Sequence, residues 1–301
     1  MDILEVKNLT KKFGNFTALD NISFSLQEGE ILGFLGQNGA GKTTTIQMLL
    51  GVLKPTSGSI SYFGKDIMLH REEILENVNF SSTYTNLMWW LSVRENLHYL
   101  SYLYEIPDRK QRFNKIVELF RLHDILNLEI EQLSAGQLTR VNLAKAFLNF
   151  PKILLLDEPT ASLDPEVAAY IRSFLLEERK KFGVSIIITS HNMAEIEEIC
   201  DRVIVIQSGK IIANDTPHHL AKSIHLSHIE LLVSSNEEPL IELLENKKLS
   251  YKKQRKLFTI EVPTLHIATF LQDVSKKGII YDELGIKKPT LEDFFLSTIG
   301  G

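Results

Sequence analysis

The chain is 301 residues long, 44% hydrophobic and 24% charged, with a formal net charge of −5. That length and apolar share exclude a disordered chain and point to about two domains with a sizeable core. The mild acidity argues against nucleic acid as the main partner, because such proteins carry a basic surface or stripe. A single cysteine, Cys200, excludes an internal disulfide, fits a reducing cytosol and reads as a small core residue. The opening MDILEVKNLT has no basic region before an apolar run, and no apolar stretch approaches the roughly 20 residues that cross a bilayer. The chain is therefore expected to be neither secreted nor membrane-spanning.

The first elements, in ILEVKNLTKKFGNFTALDNISFSLQEGE, alternate around turns at Gly14-Asn15 and Glu28-Gly29, which predicts an antiparallel sheet. EILGFLG, 30 to 36, then has the length and apolar content of a buried parallel strand. It runs into Gly36-Gln37-Asn38-Gly39-Ala40-Gly41-Lys42-Thr43, which matches G-x-x-x-x-G-K-[ST] ahead of a helical pattern, KTTTIQMLLGVL. Glycines let the backbone wrap around phosphates, Lys42 reaches the β/γ oxygens and the Thr43 hydroxyl ligates Mg²⁺. A glycine-rich turn without a ligand has no need of Lys-Thr in this register.

From about 84 to 150 the pattern is mainly helical. Within it, LMWWL at 87 to 91 either fills a helical core or lines a groove for a partner. EQLSAGQLTR, 131 to 140, places a small-residue turn (Ser134, Ala135, Gly136) before a helix, a second arrangement that offers N–H groups to an anion. One nucleotide does not need two such cradles. KILLLDE, 152 to 158, ends a strand on Asp157, placed to hold Mg²⁺, and on Glu158, placed to act as general base. The helix PEVAAYIRSFLLEERKKFG, with Pro165 near its start and Gly183 beyond its end, links this strand to VSIIITSH (184 to 191), and RVIVIQSG (202 to 209) follows. The layout is βαβ.

These motifs resemble the ATP-binding cassette (ABC) ATPases. LSAGQ is similar to that family's LSGGQ signature, with Ala135 in place of one glycine and Ser134, Gly136 and Gln137 retained. The resemblance implies an α/β P-loop NTPase cassette with an antiparallel β subdomain and a helical subdomain. It implies ATP and Mg²⁺ as ligands, held by Gly36, Asn38, Gly39, Ala40, Gly41, Lys42, Thr43 and Thr44, with Thr43 and Asp157 at the metal. It also implies a head-to-tail dimer, in which the signature turn of one copy closes over the γ-phosphate bound by the other. ASLDP resembles the D-loop, which places Ser162 and Asp164 at the dimer seam. His191 matches the switch histidine at the γ-phosphate, and Phe13 falls where the family stacks an aromatic ring on adenine.

One expected residue is missing. The family has a glutamine between phosphate loop and signature, whereas no glutamine occurs from 48 to 110, and counting back from Arg94-Glu95-Asn96 puts Thr83 there. Ser82, Thr83 or Asn86 is the expected substitute, with weaker coupling to catalysis.

After about 222 the texture changes. SHIELLVSS, KLFTIEV and GIIYDEL read as strands, and EEPLIELLENKKL and TLHIATFLQDVSKK as helices, a small α/β domain of ferredoxin-like type. Thr290 and Asp293 form a capping pair for a final helix. This ending resembles that of ATPase subunits serving drug, lipid or ion exporters with a separate permease. The expected division is therefore 1–221 for the cassette and 222–301 for the accessory domain. Lys247, Lys248, Lys252, Lys253, Arg255 and Lys256 either guard an edge strand or meet anionic lipid.

The resemblance implies an ATPase that drives export through a multi-spanning permease, from the cytoplasmic face of the membrane. The other reading is a cassette ATPase working on nucleic acid or the ribosome. Against it, translation-associated members carry two cassettes per chain and chromosomal members insert long coiled coils, and neither occurs here.

Overall fold

The computed structural model describes residues 1–82, 87–161, 163–233 and 236–299. These divide into two compact units, Met1–Thr216 and Pro217–Gly301.

The first unit opens with strands β1 (Asp2–Phe13) and β2 (Phe16–Gln27), antiparallel across a turn where Gly14 has φ 56°. Strand β3 (Ile31–Leu35) leads through the glycine-rich loop into helix α1 (Lys42–Leu49). Strands β4 (Ser57–Tyr62) and β5 (Lys65–Asp66) complete an antiparallel sheet of order β2-β1-β4-β5. Helix α2 (Arg71–Leu75) and strand β6 (Val78–Ser82) follow, then helices α3 (Val93–Ser101), α4 (Arg109–Leu119) and α5 (Ala135–Ala146). The unit closes with β7 (Ile153–Asp157), α6 (Pro165–Phe182), β8 (Ser185–Ser190), α7 (Met193–Ile199), β9 (Arg202–Gln207) and β10 (Lys210–Asp215).

The second sheet has order β10-β9-β3-β8-β7-β6, parallel except for β10 at one edge. Every residue of β3, β7 and β8 is buried, as expected for a parallel sheet covered on both faces. All four expected parallel strands are present. A fifth, β6, has no place in the sequence reading, because Asn79, Ser81 and Ser82 break its apolar pattern. Yet it pairs with β7 in register, Ser82 beside Asp157. Phe120, Phe147 and Phe174, with ring centroids 4.6 to 5.7 Å apart, pack the end of α4, the end of α5 and the middle of α6 into one cluster. That cluster holds the end of α5, the helix that begins at the signature turn, against α4 and α6.

The second unit contains α8 (Pro217–Ser223), β11 (Leu226–Leu232), α9 (Glu238–Lys247), β12 (Tyr251–Gln254), β13 (Leu257–Pro263), α10 (Ile267–Lys276), β14 (Glu283–Lys287) and α11 (Leu291–Ile299). Its antiparallel sheet has order β12-β13-β11-β14. With α9 and α10 as the two crossovers this is the β-α-β-β-α-β ferredoxin-like topology. Leu240, Leu244, Phe270 and Val274 of the helices pack on Ile229, Leu231, Phe258 and Ile260. The division expected after 221 falls inside α8, which packs on α11 within this unit. The strand expected over 278 to 284 starts only at Glu283. Gly278, at φ 65° just beyond α10, ends that helix and sends 279 to 282 through a connection first. The lysine-rich segment does hold an edge strand, β12. Asp293 accepts from Thr290 N–H at 2.7 Å while Thr290 Oγ1 accepts from Asp293 N–H at 3.3 Å, the expected capping pair.

Candidate functional site

The turn after β3 cannot be built with larger residues. A Cβ on Gly36 would collide with the Ile206 carbonyl oxygen, and one on Gly41 would lie 2.6 Å from Leu19 Cδ2. Gly41 also has φ 113°, a conformation that favours glycine. As the N-cap of α1 it supplies no side-chain cap, so the first-turn N–H groups of α1 lack a capping acceptor among the described side chains and suit an anion. Lys42 is buried and folds back to donate to the carbonyls of Gly36 at 2.6 Å and Gln37 at 3.2 Å. Burial lowers its pKa from the ordinary lysine value, against the pull of Glu158 and Asp157, which raise it. A buried charge hydrogen-bonded only to loop carbonyls is ready for a stronger counter-ion.

Opposite the loop, Asp157 at the end of β7 accepts from Thr43 Oγ1 at 3.2 Å and from Thr189 Oγ1 at 2.5 Å. Glu158 takes a left-handed backbone, φ 53°. Its N–H is held by Thr189 through the carbonyl at 3.1 Å and the hydroxyl at 3.0 Å. That conformation is uncommon for a non-glycine residue and costs of order 1 kcal/mol, so its carboxylate is turned by design of the fold. The carboxylate meets His191 Nδ1 at 2.5 Å. Buried Glu195 braces the same corner, accepting from Thr160 Oγ1 at 2.6 Å and from Ser190 Oγ at 2.8 Å.

One open cleft of about 630 Å³ collects Phe13, Asn38, Gly39, Gly41, Lys42, Thr43, Thr44, Asp157, Glu158 and His191. Gly36 and Ala40 lie behind it, Ala40 accepting from Gly209 N–H at 3.1 Å. Phe16 and Ala18 line the same cleft and escaped the sequence reading. The turn at Gly14-Asn15 was signal enough, since it makes Phe13 and Phe16 cross-strand partners at the mouth, both half exposed or more. Thr189 carries no motif of its own, although it stands in β8 two residues before His191.

The signature residues are elsewhere on the same unit. Ser134, Gly136 and Gln137 line a separate hollow of about 310 Å³ with Arg121, Arg140 and Tyr170, which shares no residue with the cleft. Ser134 caps α5, accepting from Gln137 N–H at 3.3 Å while the Gln137 side chain accepts from Ser134 N–H at 2.9 Å, and Ala135 is the first helical residue. Asp164 stands exposed at the N-cap of α6. Ser162, Thr83 and Asn86 lie outside the described residues. Trp89 and Trp90 are 59% and 56% exposed with rings edge to face, which removes them from any core.

A family model described as "ABC transporter" matches residues 19–161. The bacitracin transport ATP-binding protein BcrA of Bacillus licheniformis is 31% identical over 99% of this chain and 98% of its own length. The Nod factor export ATP-binding protein I of Cupriavidus metallidurans is 31% identical over 99% and 97%. The methionine import ATP-binding protein MetN of Geobacillus kaustophilus is 37% identical, but over 70% of this chain and 63% of its own length. Among solved structures, the dimeric bacterial ABC transporter cassette MJ0796 superposes with a TM-score of 0.63 at 25% identity, over 71% of this chain and 98% of that one. With full-length relatives at this identity and the cassette fold in the first unit, the chain belongs to the ABC transporter family, as an ATP-binding and ATP-hydrolysing subunit.

Proposed function

We propose that two copies of this chain meet head to tail around two ATP molecules and that their closure drives export through a separate, multi-spanning permease. One observation carries the dimer. The phosphate-loop cleft and the signature hollow share one compact unit and no lining residue, so the turn at Ser134 to Gln137 serves a nucleotide held by a second copy. Asp164 then lies at the seam.

The residues suit the chemistry. Thr43 and Asp157 present a hydroxyl and a carboxylate 3.2 Å apart, the hard oxygen donors that Mg²⁺ accepts alongside phosphates and water. Mg²⁺ bound there would neutralise charge on the β- and γ-phosphates. Lys42 exchanges its loop carbonyls for phosphate oxygens, and Phe13 and Phe16 offer ring faces to adenine. Glu158 takes the proton of the attacking water, and His191, bonded to its carboxylate, holds that carboxylate in place beside the γ-phosphate.

Export is supported by the pattern of kinship. The two full-length relatives above carry cargo named as bacitracin and Nod factor, whereas the importer aligns with about the cassette alone. No described helix is long and apolar enough to cross a membrane. In this reading the membrane path belongs to the permease, which the chain meets from the cytoplasmic face, with exposed Trp89 and Trp90 as part of the contact. The test is a tagged Glu158→Gln chain drawn with ATP from detergent-solubilised membranes of the native host. Turnover is expected to fall by about 10²-fold or more with ATP still bound, and a multi-spanning membrane protein should come down with a dimer. Ribosomes, DNA or soluble proteins alone would overturn the transport reading, and normal turnover would remove Glu158 as base.

A further inference from the structure

The two edges of the second unit's sheet are built differently. At one edge, β12 reads Tyr251-Lys252-Lys253-Gln254, and pairing it with a second copy would set lysine against lysine, a common guard against association. At the other edge, β14 reads Glu283-Leu284-Gly285-Ile286-Lys287 and pairs with β11 alone among the described strands. Its two ends carry opposite charges. Leu284 and Ile286 are in register with Leu231 and Ile229, so they extend the row that packs under α9 and α10. Yet they are 40% and 48% exposed, an apolar row that reaches the rim uncovered.

We propose that the second unit is a two-fold docking module which joins a second copy of this chain through β14, centred on Gly285. A two-fold axis pairs a strand with itself only in the antiparallel sense. Centred on Gly285, that pairing sets Glu283 opposite the partner's Lys287 and Leu284 opposite the partner's Ile286. Charge and apolar match are thus satisfied together, and each occurs twice. A slip of one residue puts the helix-covered faces on opposite sides of the joined sheet, and a slip of two leaves Glu283 or Lys287 opposite glycine. Lys287 already donates to Glu230 Oε1 at 2.6 Å, which holds its stem at this edge, and an ammonium has two further donors for the new partner. The product is one eight-stranded sheet with a continuous apolar row across the seam.

The contact is short, five residues a side, so it is weak alone and gains from any other contact that holds the same two chains together. It uses no nucleotide, and so stands or falls apart from the ATP-dependent cassette dimer.

The test is a disulfide trap in the full chain without nucleotide, at high protein concentration under mild oxidation. At the axis, residues directly opposite have Cα atoms about 5.5 Å or less apart, within disulfide reach. A Cβ at Gly285 meets Glu230 at an ordinary 3.5 Å, and the native Cys200 is buried out of reach. Gly285→Cys is expected to cross-link into dimers, and Lys252→Cys on the other edge to stay monomeric. Adding Glu283→Lys to Gly285→Cys should lower the yield about tenfold, and Glu283→Lys with Lys287→Glu should restore it. Equal yields from the two edges, no dimer from Gly285→Cys, or a yield indifferent to Glu283→Lys would each overturn the proposal. Ile286→Asp added to Gly285→Cys, at a half-exposed position, should also lower the yield.

Discussion

In the first unit five of the buried polar side chains gather at one site: Lys42, Asp157, Thr189, Ser190 and Glu195 lie at or beyond the carboxyl ends of β3, β7 and β8. The second unit buries one polar side chain among its described residues, Ser227, and keeps its charges at the rim. Burying polar groups costs stability unless they are bonded, and here Thr189 donates to Asp157, Ser190 to Glu195, and Lys42 to two loop carbonyls beside an open cleft. The second is an apolar packing solution with two free edges. The difference teaches where each can act: chemistry belongs to a unit that invests in buried polar groups, and contact to one whose specific features lie on its border.

The largest effect should come from Lys42→Ala. Removing the one buried cation of the phosphate loop is expected to weaken ATP binding about a hundredfold, with loss of turnover, while the second unit keeps its stability. Equilibrium binding of a fluorescent ATP analogue checks this, and unchanged affinity would break the assignment of the cleft. Phe258→Ala is the counterpart in the other unit. The ring is fully buried, so its loss should cost about 3 to 5 kcal/mol in denaturant unfolding of the second unit. ATP hydrolysis should persist, and a parallel loss would show that the two units are not separable.

A smaller effect concerns Lys145 on α5, whose ammonium is pulled down to about 8 by burial. The ordinary lysine value is about 10.4, so between about 8 and 10 the unfolded chain holds more protons than the folded one. Stability therefore rises with pH across that window. Lys145→Met should remove this rise, by about 2 kcal/mol, in urea melts compared at about pH 7 and about pH 9.5. An identical pH dependence in both chains would return Lys145 to the solvated surface.

The glycine-rich loop, Asp157 and Glu158 were legible because each motif is contiguous and its context, apolar strand then turn, is local. The bracing by Thr189 and Glu195 was not, since a threonine in an apolar strand and a glutamate in a helix start carry no pattern until β8 lies beside β7. Strand β6 was hidden for a related reason: its polar residues find their places through distant segments, Asn79 donating to Asn149 Oδ1 at 2.8 Å and Ser82 falling in register with Asp157. The late start of β14 turned on Gly278, a single left-handed residue whose effect depends on α10 ending just before it.

By itself the sequence determined the motifs, the order of strands and helices, and the ferredoxin-like character of the last part, because periodicity and turn chemistry act over a few residues. Only the tertiary structure decided that Glu158 meets His191, that the signature turn lines a hollow separate from the chain's own cleft, that Trp89 and Trp90 are exposed, and that β14 ends a sheet. Those depend on which distant segments share an edge, and sheet order is set by the burial of whole faces rather than by any local run of residues.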